Sequence, residues 1–122
     1  MSKILLVDDE KDIVRIVKNG LQKKGFEVDA FDNPKEALLK FTRNTYDLIL
    51  LDVRMPEMNG YELYEELKNI DPNAKIHFLT AFEFLQDTPK RIVSDMIGKN
   101  FIHKPITIEK LVDLINTRIH GM

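Results

Sequence analysis

Ile4-Leu5-Leu6-Val7-Asp8-Asp9 near the start of the chain and Leu48-Ile49-Leu50-Leu51-Asp52 in its middle decide the fold. Apolar runs this short, bounded by polar residues, suit parallel strands buried on both faces. Each run ends on acid. In open α/β sheets ligands bind beyond the carboxyl ends of the strands, which is where these carboxylates fall. Three converging acids repel one another, so the site favours a cation. With a lysine and a hydroxyl added, it favours a phosphoryl group as well.

Outward from these runs, strand and helix alternate five times. Ile13, Ile16, Val17 and Leu21 recur at helical spacing with Gly20 on the same inward face, and Gly25 suits the helix C-terminus. Phe26 to Phe31 alternates apolar and polar residues, the pattern of a half-exposed edge strand. Asn33-Pro34 with Glu36 reads as an N-cap, a first-turn proline and a capping-box partner, ahead of a stripe of Ala37, Leu38 and Phe41. The run ending at Asp52 is apolar throughout and belongs at the sheet centre. Met55 to Gly60 is a loop, and Leu63, Leu67 and Ile70 mark a third helix stopped by Asp71-Pro72. Ile76 to Thr80 is a fourth strand. Thr88-Pro89 opens a fourth helix with Ile92, Val93, Met96 and Ile97. A short fifth strand surrounds Phe101, and Leu111, Ile115 and Ile119 mark the last helix. Such alternation predicts a parallel sheet with helices on both faces and right-handed crossovers.

The bulk numbers bound the function. With 122 residues, 43% hydrophobic and 31% charged, the chain suits a single globular domain. A net charge of -2, with basic residues scattered, gives no electrostatic case for nucleic-acid binding. There is no cysteine, which excludes disulfide and thiolate chemistry. The first strand starts at about Lys3, leaving no room for a signal peptide, and no apolar stretch reaches membrane-span length, so a cytoplasmic protein is expected.

Taken singly, the polar residues have plain structural readings. An acid pair after a strand caps a helix or turn, Thr80 is a β-branched strand residue, and Lys104 is a surface charge. His77 and His103 lack partner histidines at ligand spacing and read as packing or edge residues. Taken jointly, Asp8-Asp9, Asp52, Met55-Pro56 with Gly60, Thr80-Ala81, and Lys104-Pro105 with Phe101 three positions earlier resemble the receiver domain of two-component response regulators. The resemblance covers essentially the whole chain, 1–122, with no output domain visible. It implies a flavodoxin-like, five-stranded sheet of order 2-1-3-4-5; the chemotaxis regulator is a standard example of that order. It implies Asp52 as the acceptor of a phosphoryl group from a sensor histidine kinase or phosphotransfer protein. Mg²⁺ would be held by Asp8, Asp9, Asp52 and the backbone carbonyl of Arg54, with Lys104 and Thr80 on phosphoryl oxygens. Thr80 and Phe101 would form the switch. The output would be a face of helix four, strand five and helix five that meets a downstream effector, in a monomer or weak homodimer. Such a domain is a signalling phosphoacceptor that catalyses its own phosphorylation and dephosphorylation, not an enzyme acting on an external substrate.

The departures lie between Phe82 and Lys99. That segment is slightly longer than the common pattern, and Lys99 replaces the usual small residue after Gly98. Phe82, Phe84 and Leu85 fall in a loop, where they either pack back on the sheet or offer a partner surface. Arg54 and Phe82 stand two residues after Asp52 and Thr80, positions that in the family influence the access of water to the phosphoryl group. Two alternatives remain. A haloacid-dehalogenase-like phosphatase also uses an aspartate nucleophile, but it carries Asp-x-Asp after its first strand. A degenerate interaction module would have lost an acid or the lysine.

Overall fold

The computed structural model describes residues 2–53, 55, 57–80, 101–103 and 107–120. In chain order these form β1 (Lys3–Val7), α1 (Lys11–Lys23), β2 (Glu27–Phe31), α2 (Pro34–Lys40), β3 (Leu48–Asp52), α3 (Gly60–Ile70), β4 (Ile76–Thr80), β5 (Phe101–His103) and α4 (Ile108–His120). Here α4 is the last helix of the sequence reading, fifth in that count. The expected helix from Thr88 lies outside the described residues, as do Phe82, Phe84, Leu85 and Lys99.

The sheet is parallel. Its body runs β2-β1-β3-β4, with the three-residue β5 paired beside β4. β1 is sandwiched between β2 and β3, with Leu5 level with Asp29 on one side and Ile49 on the other. The edge placement of β2 accounts for its alternating sequence, and the central placement of β3 for its five buried residues.

Because side chains alternate along a strand, each apolar run divides between two cores. Leu5, Val7, Ile49, Leu51 and Phe78 pack with Ala37 of α2 and with Leu63, Tyr64 and Leu67 of α3. On the other face Ile4, Leu6, Leu48, Leu50, Leu79 and Ile102 pack with Leu21 of α1 and with Leu111 and Ile115 of α4. Runs without any polar position are what a sheet covered on both sides requires. Burying each of these leucines or isoleucines contributes about 1.5–3 kcal/mol.

Local signals fix the helix ends. α1 closes in a Schellman turn, in which Phe26 N–H donates to Leu21 O at 3.1 Å and Gly25 N–H to Gln22 O at 3.1 Å. Gly25 sits at φ +94°, a conformation that penalises any side chain, and Phe26 joins Leu21 in the core as the motif's apolar contact. The Asn33 side chain accepts from the amides of Lys35 and Glu36, and Pro34 begins α2, as the sequence predicts. The reciprocal half of that cap does not follow the sequence reading. Glu36 turns to Lys40, 3.5 Å away, one turn along the helix.

Two apolar assignments also need correction. Ile16 is 54% exposed and Ile70 38% exposed. Ile16 lies about 140° round the helix from Leu21, so it falls on the rim beside the stripe rather than within it. In α3 the inward position the sequence reading overlooked is Tyr64, which is buried and stacks at a tilt on Phe78 with centroids 5.6 Å apart. Asp71 stops α3 as expected. It is buried, and its carboxylate accepts from the amides of Asn44, at 3.0 Å, and Asn73, at 3.1 Å, which offsets the loss of water.

Candidate functional site at the carboxyl edge of the sheet

β1 gives way to Asp8 one residue after Val7, and the Asp8 amide still donates to Phe31 O of β2 at 3.1 Å. The backbone of Asp8 is thus held in the ladder. Its carboxylate is held too: Oδ1 accepts from the Glu10 N–H at 3.0 Å, in the first turn of α1. Across the sheet Val7 is level with Leu51, so the next residues, Asp8 and Asp52, stand side by side at the ends of β1 and β3. By alternation both belong to the α1–α4 face. Both are buried, Asp8 fully and Asp52 with 5% exposure. Asp9 is half-buried and Glu10 exposed. One carboxylate oxygen from each of Asp8, Asp9 and Glu10 lies within 4.8 Å of the other two.

The loop after β3 is pinned close to Asp52. Gly60 donates its N–H to Val53 O at 2.9 Å, and a Cβ built on Gly60 would sit 2.8 Å from the Val53 Cα. Only glycine lets α3 begin against the backbone of the central strand. Asn59 and Glu62 then cap α3 reciprocally, side chain to amide in both directions. At the rim, Lys11 lies 3.9 Å from Asp32 and Lys35 4.0 Å from Glu57. These exposed pairs tie the loops around the mouth only weakly.

Carboxylates crowded at adjacent strand ends repel one another, and a divalent cation offsets that repulsion. The donors are hard oxygens, a set that suits Mg²⁺ rather than a thiophilic metal. The structure sets Asp8 beside Asp52 through the register of β1 on β3, and a carboxylate oxygen of Asp9 near that of Asp8. Thr80 ends β4 level with His103, and Phe101 begins β5 level with Phe78, two residues before Thr80; the roles assigned to Thr80 and Phe101 concern side chains outside the described set. Arg54 and Lys104 lie outside the described residues. His77 is buried in β4 with Nδ1 2.9 Å from Ile76 O, in keeping with a packing role.

The sequence reading did not single out Glu10 or the Asn59–Glu62 cap. A signal for the second was available, since Asn59 stands three residues before Glu62. It also missed a cluster at the opposite end of the sheet, where Tyr46 Oη donates to Asp29 Oδ2 at 2.7 Å and Lys3 Nζ lies 3.5 Å from the same oxygen. Burial first, and then the hydrogen bond and charge of Asp29, push the Tyr46 phenol well above its ordinary range.

An open α/β sheet with paired acids at its topological switch point defines a class of domain with a polar, cation-suited site at the strand ends. Comparison with known proteins narrows the class to one family. The family model described as "Response regulator receiver domain" matches residues 4–116. The chain belongs to the receiver family of two-component response regulators.

It is 34% identical over 122 residues to the chemotaxis protein CheY of Bacillus subtilis, covering 97% of this chain and 98% of CheY. It is 30% identical over 117 residues to the transcriptional regulatory protein PcoR of Escherichia coli, covering 96% of this chain and 51% of PcoR. Against several curated relatives, PcoR among them, the chain spans about half their length. Among solved structures it resembles the response regulator TrrA of Thermotoga maritima in complex with Mg²⁺-BeF. The TM-score is 0.80 at 33% identity, covering 97% of this chain and 99% of that one. A receiver domain protein from Clostridium thermocellum gives a TM-score of 0.85 at 30% identity, covering 99% and 96% of the two chains. Receiver domains are signalling phosphoacceptors that generally depend on Mg²⁺, and response regulators interact with histidine kinases and effectors. No helix among the described residues is long and apolar enough to cross a membrane.

Proposed function

We propose that this chain is a phosphorylation-driven switch whose acceptor is Asp52. A carboxylate oxygen of Asp52 attacks the phosphorus of a phosphohistidine on a sensor kinase or phosphotransfer protein. The P–N bond breaks, and the imidazole nitrogen leaves and is protonated. Asp8, Asp9, Asp52 and the backbone carbonyl of Arg54 would hold Mg²⁺, which neutralises charge on the phosphoryl oxygens. Lys104 pairs with one of those oxygens and the Thr80 hydroxyl donates to another. Because positioning and electrostatics supply most of the catalysis, the domain promotes its own phosphorylation and hydrolysis.

In the same reading, residues 1–122 form one receiver domain with the full five-stranded, doubly wound sheet. Thr80 moves toward the phosphoryl group and the Phe101 ring follows. The face of the fourth predicted helix, β5 and α4 changes packing and meets an effector, in a cytoplasmic monomer or weak homodimer. No direct role with nucleic acid or membrane is included.

The observation that carries the reading is the burial of Asp8 and Asp52 side by side at the switch point, with the Asp9 carboxylate beside Asp8. The test is intact mass after incubation with acetyl phosphate and Mg²⁺, beside Asp52→Asn and a metal-free control. Gain of one phosphoryl group in the wild type alone is the expected result. Gain in Asp52→Asn would reject the acceptor assignment, and steady turnover of a phosphomonoester would favour the phosphatase alternative.

A further inference from the structure

Glu10 occupies the N-cap of α1, a position where short side chains such as Ser, Thr, Asp or Asn usually satisfy the first amides of the helix. Its own side chain makes no capping hydrogen bond. Instead its carboxylate gathers with those of Asp8 and Asp9, all within 4.8 Å. Its backbone amide meanwhile holds Asp8 Oδ1 at 3.0 Å, so one residue both orients a buried acid and adds a third charge beside it. Like charges that close repel, and an exposed side chain is able to swing into solvent. A cation at the centre would offset that repulsion. Mg²⁺ keeps most of its waters and accepts few protein carboxylates directly, so an exposed acid at this range suits a water on the ion rather than the ion itself.

We infer that Glu10 is an outer-shell acceptor for the cation site, binding a metal-held water and raising the affinity of the domain for Mg²⁺. This inference rests on the receiver reading of Asp8, Asp9 and Asp52. A divalent ion about 5–7 Å from the Glu10 charge, at the dielectric of a wet surface, predicts that removing the charge weakens binding about three- to ten-fold. Because Glu10 is exposed and caps nothing with its side chain, the fold is unaffected.

The experiment is calorimetric titration of the full chain with MgCl₂ at fixed ionic strength, with a thermal melt of each variant. The variants are Glu10→Gln, Asp9→Asn and Asp12→Asn. Asp12 is a first-turn acid of the same helix, whose carboxylate lies 3.4 Å from Arg15, and it reports the general effect of removing one negative charge. The inference expects Glu10→Gln to bind about three- to ten-fold more weakly, Asp12→Asn to stay within two-fold, and both melting temperatures to match the wild type. It is overturned if Glu10→Gln binds like the wild type while Asp9→Asn loses binding, a result that leaves the receiver reading intact. It is also overturned if Asp12→Asn weakens binding as much as Glu10→Gln. A wild type that binds no Mg²⁺ overturns the metal reading and this inference together.

Discussion

Replacing Gly60 by alanine tests how the acceptor strand is held. The added Cβ would lie 2.8 Å from the Val53 Cα and 3.0 Å from the Asp52 carbonyl carbon, with the Asp52 oxygen closer still. Ordinary Cβ contacts begin near 3.4 Å, so the start of α3 must retreat by about 0.6 Å or more. The obstructing atoms are backbone of the central strand, which cannot rotate away. Retreat also stretches the Gly60 N–H to Val53 O hydrogen bond, now 2.9 Å. Overpacking costs about 1–3 kcal/mol and a weakened buried hydrogen bond about 1 kcal/mol, giving a loss of about 2–4 kcal/mol. Gly20→Ala is the matched control. There the new Cβ would meet side-chain atoms rather than strand backbone, Ile108 Cδ1 at 2.7 Å, Cγ1 at 2.8 Å and Cγ2 at 3.1 Å, and this β-branched side chain yields only in part. The gain in helix propensity, about 1 kcal/mol, offsets part of that clash. Urea unfolding of both variants gives the comparison, with acetyl-phosphate labelling as a second readout, since a displaced Asp52 should label more slowly. If Gly60→Ala loses less than about 0.5 kcal/mol, or no more than Gly20→Ala, the close-approach argument is refuted.

Three further outcomes follow from other parts of the molecule. Asn59→Ala removes one half of the α3 capping box and should cost about 1 kcal/mol in urea unfolding, whereas Glu36→Gln, whose partner is the exposed Lys40, should cost less than about 0.5 kcal/mol. The Tyr46 phenol has its folded pKa raised above the unfolded value of 10.0, so its contribution is complete below that pH and fades as pH rises through the folded value. Tyr46→Phe should therefore lose about 1 kcal/mol at neutral pH and show a shallower decline in melting temperature above pH 10 than the wild type; parallel declines would reject the linkage. Exchanging Arg54 and Phe82 together for small residues should shorten the lifetime of the phosphorylated protein, measured by loss of label after donor removal, and an unchanged lifetime would reject a shielding role.

The fold was legible wherever one residue type had one physical use. Ile4 to Val7 and Leu48 to Leu51 carry no polar position because helices cover both sides, and β2 alternates because it is an edge. Gly25 and Asn33-Pro34 marked helix ends because few other residues meet those backbone demands. Legibility failed where a side chain had two partners within reach. Glu36 could fold back on its cap or forward to Lys40, and spacing alone does not choose between them. Ile16 recurs at apolar helical spacing, yet it lies about 140° round α1 from the buried Leu21 and stays 54% exposed.

The site followed the same division. Asp8-Asp9 and Asp52 each read singly as turn or cap residues, and only the register of β1 on β3 sets two of them side by side. That register is a property of the whole sheet, so no local window contains it. Glu10 was hidden for the opposite reason. An acid at the start of a helix is so ordinary, through its attraction to the helix N-terminus, that its identity carried no signal. What distinguishes it is that its carboxylate caps no amide and lies within 4.8 Å of those of Asp8 and Asp9, a neighbourhood visible only in three dimensions.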